Sequence, residues 1–237
     1  MTPTILRVPT IVRFGRVPVP HTNEATYAID AQGRRWIAKR EADMGAEALL
    51  AEALTWRLAR ELGVNTPDAA FCDDPDERAW LSRLVPNASH WSAVNASRVE
   101  NIDAAGAMHA LDAIVFNEAR HGRNVLLVGP SDGGLSLVAI DADEALIGHP
   151  DDLEARGDGV PEPRILAFGM PSWRAAAQRA AKLAQDLSPA TLEHIVAESC
   201  EIAREPRVDD VARVLTARCA VAVNLTRRYL DLVEQRQ

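Results

Sequence analysis

The sequence predicts an α+β fold in two lobes: a small β-rich lobe with one key helix over residues 1–86, and a larger helical lobe over residues 87–237. Two observations predict it. Strand-length apolar segments separated by turn residues crowd the first third of the chain. Beyond them helical periodicity dominates, interrupted by one hairpin. A chain of 237 residues is long enough to bury a sizeable core.

The composition argues against several classes of protein. The formal charge of −8 and the pI near 5.3 argue against direct nucleic-acid binding, which leaves a basic surface. The longest apolar runs fall far short of the roughly 20 residues that span a bilayer. The first residues lack the charged start and cleavage site of a secretory signal. Three scattered cysteines have no metal-ligand spacing and are interpreted as buried, reduced thiols. We therefore expect a cytoplasmic protein that does not associate with membranes.

Five strands are predicted in the N-terminal lobe. The first covers residues 11–17, and a β-hairpin follows, with strands TYAID and RWIAKR joined by the turn AQGR. Two further strands, in DAAFCDD and RAWLSRLV, flank the acidic turn DDPDE. The loop PVPHTNE has no glycine-rich phosphate-binding motif. Phosphate contacts there would have to come from Thr22 or backbone amides, and a plain surface turn is the competing interpretation.

A lysine and a glutamate are the candidate functional residues of this lobe. Lys39 lies on the second hairpin strand, where a lysine is most often a solvated edge residue. Residues 44–62 predict a helix with a buried leucine stripe, and Glu52 lies beside that stripe. Two interpretations of Glu52 stay open. It pairs with Arg57 or Arg60 on the surface, or it forms with Lys39 the ion pair that positions a lysine on ATP phosphates.

The exit from the N-terminal lobe is the predicted hinge. Residues 81–86, LSRLVP, connect its last strand to the second lobe. In a nucleotide-binding cleft, backbone groups of such a hinge form hydrogen bonds with the adenine edge. We assign this role to Ser82, Arg83 and Leu84 from their position alone, because backbone contacts leave little side-chain signature.

The segment from Asp112 to Asp141 is the most informative about function. A helical run leads into a polar loop and then into two short strands, VLLV and LSLVAI, the second ending directly in an aspartate. Asn124 begins one strand of this hairpin and Asp141 follows the other, so the amide and the carboxylate converge. Magnesium takes oxygen ligands, and kinases hold the magnesium of ATP with such a pair. Ala119 stands five residues before Asn124, where a kinase catalytic loop carries an aspartate.

The remainder of the C-terminal lobe is predicted to be a helical scaffold. One helix covers residues 103–118, and three more cover roughly residues 173–185, 189–203 and 208–234. Residues 150–172 are rich in glycine and proline in their second half, which predicts a loop over the surface.

This order of features resembles the HipA-like kinases, and looks closest to their short, compact branch. The resemblance covers roughly residues 10–230 in element order, and it is specific only in the loop NEARHGRN and the following ID. Relatives typically read N-x-D-R-H-x-x-N in this loop. The resemblance implies a two-lobed protein-kinase-like fold with ATP and Mg²⁺ between the lobes.

The resemblance also implies a role for each matching residue. Asn124 and Asp141 would bind magnesium, and Lys39 would bind phosphates with Glu52 as its partner. Asp112 matches an aspartate that braces the loop. The other catalytic-loop residues that match the family pattern are Asn117, Arg120 and His121.

Ala119 departs from the family pattern, because it occupies the position of the catalytic aspartate. That aspartate accepts the proton of the substrate hydroxyl, and a methyl group cannot. Three explanations stay open. The chain is an inactive variant made to keep ATP or substrate bound, which we favour because the surrounding loop is intact. Alternatively it is a natural nucleotide-binding pseudokinase that acts through a partner, or Glu118 supplies the carboxylate.

As an active enzyme, the protein would transfer the γ-phosphate of ATP to a serine or threonine hydroxyl of a protein. HipA-like relatives are often toxins that phosphorylate translation factors such as aminoacyl-tRNA synthetases, and a DNA-binding antitoxin neutralises them. The resemblance implies a similar substrate and an antitoxin partner here. A small-molecule phosphotransferase is the other alternative, since antibiotic and sugar kinases share this lobe architecture.

Overall fold

Six strands build the sheet of the N-terminal lobe. The computed structural model describes residues 5–8, 11–16, 25–74, 78–130, 133–164 and 171–236. Thr22 and most of its loop, considered above for phosphate contacts, lie outside the described residues. The strands are β1 (Leu6–Val8), β2 (Ile11–Arg16), β3 (Thr26–Asp30), β4 (Arg35–Arg40), β5 (Ala69–Cys72) and β6 (Ala79–Arg83).

The strand order of this sheet is β1-β5-β6-β4-β3-β2. Neighbours are antiparallel except β1, which runs parallel to β5. The five predicted strands are confirmed, and β1 is an addition that the sequence did not predict. Its three residues are too few to show an alternating pattern.

Asp30 closes the β3–β4 hairpin. Its Oδ1 accepts hydrogen bonds from the backbone N–H groups of Gln32 and Arg34, both at 2.9 Å, and its Oδ2 accepts one from the indole of Trp36 at 3.0 Å. Such side-chain bonds to the following backbone stabilise a tight turn. The turn sets the register of β4, in which Lys39 pairs with a residue of the central strand β6.

The helix predicted over residues 44–62 is two helices in the structure, α1 (Glu41–Met44) and α2 (Ala46–Glu61). Gly45 separates them with a φ of 85°, a conformation that side chains with a Cβ rarely adopt. Residues 48–59 of α2 are all buried, not only the leucine stripe. The helix is covered on several sides because it packs against both the sheet and the C-terminal lobe.

Three short antiparallel strands form a second sheet, β7 (Ser89–His90), β8 (Val125–Val128) and β9 (Ser136–Ala139), in that order. The predicted hairpin is confirmed, with Val125 opposite Ala139. The N–H of Ile140 donates to the carbonyl of Asn124 at 3.1 Å. The start of β8 and the end of β9 therefore lie side by side.

Six helices complete the part of the C-terminal lobe that the structure describes: α3 (Ile102–Val115), α4 (Pro150–Ala155), α5 (Pro171–Gln185), α6 (Pro189–Ala203), α7 (Val208–Ala220) and α8 (Ala222–Gln235). The helix predicted to reach residue 118 ends at Val115, because Phe116 turns left-handed at φ 56°. The helix predicted over 208–234 is interrupted at Val221.

The loop predicted over residues 150–172 is wrong in its first part, where α4 forms. A proline at the start of a helix and acidic residues in its first turn both favour helix initiation, and α4 has Pro150, Asp151 and Asp152 there. Residues 156–164 contain no further helix or strand, and residues 165–170 lie outside the described part of the chain.

One hydrophobic cluster runs through both lobes. It joins the leucines of α2 and the aromatic residues Phe71 and Trp80 of the first sheet to α3, α6 and α7. The three cysteines are buried and none of them is in a disulfide bond, as expected. Within the described residues, no helix combines the length and the apolar character needed to cross a bilayer.

Candidate active site

Lys39 lies at the centre of the site, on β4, and is 7 % exposed. Its ammonium contacts Glu52 of α2 and Asp141, and lies 3.1 Å from Asp143 Oδ2. The interpretation of Lys39 as a solvated edge residue is therefore wrong. Burial alone would lower the pKa of Lys39, but the three carboxylates raise it above its ordinary value. The group is a fixed positive charge at neutral pH.

Glu52 joins α2 to both sheets. Its Oε1 accepts hydrogen bonds from Lys39 and from the backbone N–H of Ala142, the latter at 3.2 Å, and the side chain is buried. Neither arginine considered as a surface partner holds it. Arg57 pairs with a glutamate of α6, and Arg60 stacks on a tryptophan of its own helix.

Asp141 lies two residues after the end of β9 and has a left-handed backbone with φ 64°. Aspartate is one of the few residues besides glycine that adopt this conformation readily. Burial would raise the pKa of Asp141, but the ammonium of Lys39 and hydrogen bonds lower it below its ordinary value. Asp141 is therefore a carboxylate at neutral pH.

Asp112 of α3 organises the loop that leads to Asn124. Its carboxylate accepts a hydrogen bond from Asn117 Nδ2 at 3.2 Å and from Arg120 Nε at 3.1 Å. Arg120 also donates to the carbonyl of Asn124 at 2.8 Å and to that of Ile140. Burial raises the pKa of Asp112, although Arg120 and Asn117 oppose this. Arg120 thus ties together the two hairpin ends that the sequence predicts to converge.

Asn124 is oriented by the same loop. Its Nδ2 donates to the carbonyl of Ala119 at 3.1 Å, which leaves Oδ1 as the amide atom that can bind a cation. Nearby, carboxylate oxygens of Glu52, Asp141 and Asp143 lie within 4.8 Å of one another. A donor set made of carboxylate and amide oxygens fits a hard divalent cation such as Mg²⁺.

A cleft of about 450 Å³ opens between the two sheets at this point, a size that suits a small-molecule ligand or cofactor. Asn117 and Arg120 do not line it; they hold the loop from behind. The predicted site residues that the structure brings together in its lining are Lys39, Glu52, Ser82, Arg83, Leu84, Ala119, His121, Asn124 and Asp141.

The hinge segment lies along one side of the cleft, with Arg83 and Leu84 in the lining. The N–H of Arg83 donates to the carbonyl of Asp68 at 2.8 Å, and the N–H of Leu84 donates to that of Arg35 at 3.1 Å. These two donors are engaged within the protein. The adenine contacts predicted for Ser82, Arg83 and Leu84 stay a prediction, and these two N–H groups are not available for them.

Ala119 lines the cleft beside Asn124, and its N–H donates to Asn117 Oδ1 at 3.0 Å. The neighbouring Glu118 is half-buried and is not part of the lining. Glu118 therefore lies outside the position that a substitute proton acceptor would need.

No protein-family model and no curated protein sequence match the chain. Among solved structures, the chain is similar to the proinflammatory kinase CtkA of Helicobacter pylori, with a TM-score of 0.62 and 9 % identity over 95 % of this chain and 99 % of that one. It is also similar to the Golgi casein kinase with Mn and ADP bound, with a TM-score of 0.53 and 11 % identity over 97 % of this chain and 75 % of that one. The fold is that of the protein kinases.

A HipA structure from Shewanella oneidensis, in complex with HipB and operator DNA, matches with a TM-score of 0.43 and 12 % identity over 89 % of this chain and 59 % of that one. A likeness this distant does not identify a branch of the protein kinase fold. The HipA-like resemblance therefore stays a prediction, and so do the roles that it implies for single residues.

Asp143 is a residue of the cleft that the sequence analysis missed. It is 7 % exposed and lines the cleft two residues after Asp141. Burial raises the pKa of Asp143, helped by the neighbouring Asp141 and Glu52 and opposed by Lys39. The available signal was a second aspartate two residues after Asp141, in the sequence D-x-D.

Proposed function

We propose that the protein binds ATP and a divalent metal ion in the cleft, and that the site is built for phosphoryl transfer. One observation carries the proposal: the ammonium of Lys39, held by Glu52 on a helix, contacts Asp141 from the second sheet. In the protein kinase fold, a lysine held in this way binds nucleotide phosphates, and an aspartate at this point binds the metal. A surface ion pair does not explain a buried lysine surrounded by three carboxylates, two of them buried.

The metal would be held by Asp141 and by Oδ1 of Asn124, with Asp143 in reach as a further carboxylate. When bound, a divalent ion neutralises charge on the phosphates. The chain itself supplies the orientation. Arg120 holds the two hairpin ends together, and Glu52 holds Lys39.

Ala119 limits the chemistry that this chain performs. Positioning and electrostatics provide most of the catalysis of phosphoryl transfer. A proton acceptor contributes a further factor of about 10²–10⁴. We therefore expect nucleotide binding with slow transfer or none, either as an inactive variant or as a natural pseudokinase that acts through a partner.

The HipA-like resemblance extends the proposal to the acceptor and the partner. With an aspartate at position 119, the acceptor would be a serine or threonine hydroxyl of a protein, and the targets would be translation factors in the cytoplasm. An antitoxin would be the regulatory partner. These statements rest on the loop pattern NEARHGRN and its spacing to Asp141.

Two measurements test the proposal. Calorimetry with ATP and Mg²⁺ is expected to show binding to the unaltered chain and none to Asp141→Asn. Asp186→Asn changes an exposed aspartate between α5 and α6; it is the matched control and is expected to keep full affinity.

Phosphate transfer from labelled ATP to the protein itself or to a generic protein acceptor is expected to rise by about 10²–10⁴-fold in Ala119→Asp. Ala119→Asn, of the same size but without the charge, stays slow.

The outcomes separate the alternatives. ATP binding without any gain in Ala119→Asp supports the pseudokinase. A folded, unaltered chain that binds neither ATP nor Mg²⁺ contradicts the proposal altogether.

A further inference from the structure

Helix α2 is held on two sides. Glu52 reaches Lys39 and the backbone of Ala142 on one side. Arg57 lies five residues later, about 140° around the helix axis, and forms an ion pair with the partly buried Glu198 of α6. Arg57 has no solvent exposure. The helix that presents Glu52 to the cleft is therefore fastened to a helix of the C-terminal lobe by its opposite side.

Residues near the end of α6 also form hydrogen bonds with other parts of the N-terminal lobe. Glu198 Oε1 accepts a hydrogen bond from the N–H of Ile5 at 3.4 Å, just before β1. Arg78, just before β6, donates to the carbonyl of Ile202 and pairs with Glu41 of α1. The two lobes thus meet through directional contacts behind the cleft, in addition to the apolar packing of α2 on α6.

We infer that Arg57 is a positioning residue: its ion pair with Glu198 fixes α2 where Glu52 meets Lys39, so that the phosphate-binding lysine is held in place before any nucleotide or partner binds. This inference rests on the proposed function of Lys39. Apolar contacts alone let a helix slide or rotate between similar packings. A fully buried arginine keeps its charge paired in few arrangements, which gives its ion pair a role in specifying the position of the helix.

An additional close contact limits the movement of α2. A Cβ added to Gly148, in the 3-10 turn Leu146–Gly148, would lie 2.4 Å from the carbonyl oxygen of Glu47 and 2.9 Å from Ala51 Cβ. The first turns of α2 therefore rest directly on the backbone that follows Asp143. The ion pair and this contact near the start of the helix both oppose a displacement of α2.

A double-mutant cycle tests the inference. Arg57→Met removes the charge and keeps most of the volume, and the affinity for a fluorescent ATP analogue with Mg²⁺ is measured. We expect a loss of about 2- to 30-fold, the range for residues that act on a ligand through others. In the Glu52→Gln background the same change is expected to cost no further affinity, because Arg57 acts through Glu52. A merely structural role for Arg57 would give additive losses.

Matched variants keep the result interpretable. Arg60→Met alters an exposed arginine of the same helix and is expected to leave the affinity unchanged. Arg57→Met alone leaves Glu198 without its partner, which can impair folding. The double variant Arg57→Met, Glu198→Leu removes both charges and puts an apolar contact in their place, so it controls for that effect. Because only apolar packing then remains, this pair is expected to bind with the lowered affinity of Arg57→Met.

Hydrogen exchange of the nucleotide-free protein gives an independent readout. Peptides covering residues 46–61 and the amide of Ala142 are expected to exchange faster in Arg57→Met than in Arg60→Met. Adding ATP and Mg²⁺ to the unaltered chain is expected to leave the exchange of α2 unchanged. Strong new protection of α2 on nucleotide binding, or equal exchange in the two variants, overturns the inference. If no nucleotide binds at all, the proposed function fails, and exchange alone decides whether Arg57 positions α2.

Discussion

The charges around Lys39 do not balance. One ammonium faces the carboxylates of Glu52, Asp141 and Asp143, and all but Asp141 are buried. Isolated buried charge is costly, so the excess is offset either by a proton or by a cation. The raised pKa of Asp143 shows the first solution. A divalent ion is the second, and it is the one that phosphoryl transfer needs.

Removing the ammonium therefore has a specific consequence. Lys39→Met leaves the carboxylates without their counter-charge, and breaking a buried pair in this way costs about 3–5 kcal/mol. We expect urea unfolding to show that loss, and we expect Mn²⁺ to restore more stability to Lys39→Met than to the unaltered chain. Lys39→Arg, which keeps the charge, is the control. Equal effects of Mn²⁺ on all three proteins would contradict this account.

His109 is expected to make stability depend on pH. It is fully buried in α3 between the rings of Trp173 and Tyr229, at centroid distances of 5.2 and 5.7 Å. Burial lowers the pKa of His109 to about 4, and Arg120 contributes. Between about pH 6.5 and 4 the unfolded chain holds a proton that the folded chain lacks, so this group reduces stability as pH falls, by up to about 3 kcal/mol.

The comparison is between the unaltered chain and His109→Gln. Free energies of unfolding measured from pH 7 to pH 4.5 are expected to fall more steeply in the unaltered chain. Parallel curves would show that His109 is not the titrating group. The carboxylates contribute equally to both proteins and cancel in the difference.

At the scale of elements, the position of α2 depends on a glycine of the C-terminal lobe. Gly148 has no positive φ that would demand glycine, so only the space against Glu47 and Ala51 excludes a side chain. Gly148→Ala is expected to cost about 1–3 kcal/mol of stability and to weaken ATP binding, because α2 must move. Thermal unfolding and calorimetry measure both effects.

Gly15→Ala is the matched control for that change. Its Cβ would lie 3.9 Å from Tyr27 Cβ, an ordinary contact. We expect little change in stability or affinity. A loss in Gly15→Ala equal to that in Gly148→Ala would show that the effect of Gly148 does not come from its contact with α2.

The elements that the sequence predicts correctly are those with a local signature. The β3–β4 hairpin has its turn residues in sequence, and the β8–β9 hairpin has alternating apolar strands. Their geometry also brings Asn124 and Asp141 together, because the ends of a hairpin must meet. For Lys39 and Glu52 the order of a strand and a helix left two interpretations open, and their burial and contact decide between them. The helix boundaries fail where one residue leaves the helical region, as Phe116 does.

What could not be predicted depends on contacts between residues far apart in the chain. Arg218 of α7 donates to the carbonyls of Ala113 and Ile114 at 2.6 Å and so holds the end of α3, from which the loop to Asn124 leads. The pair of Arg57 with Glu198 is of the same kind. An arginine on a helix looks like a surface residue in sequence, and only the fold of the whole chain buries it.

At the scale of the molecule, the two lobes share one hydrophobic cluster, and the leucines of α2 are part of it. Lobes joined only by a hinge would unfold separately. The shared core and the contacts of α6 predict one cooperative transition, in which the calorimetric and van't Hoff enthalpies agree. A saturating ATP–Mg²⁺ complex shifts that whole transition, by about 2.7 kcal/mol at 100 times Kd. Two separate transitions, or a shift confined to one of them, would mean that the lobes unfold independently. The contacts of α2 with the C-terminal lobe then could not fix the position of Glu52 and Lys39 in the cleft.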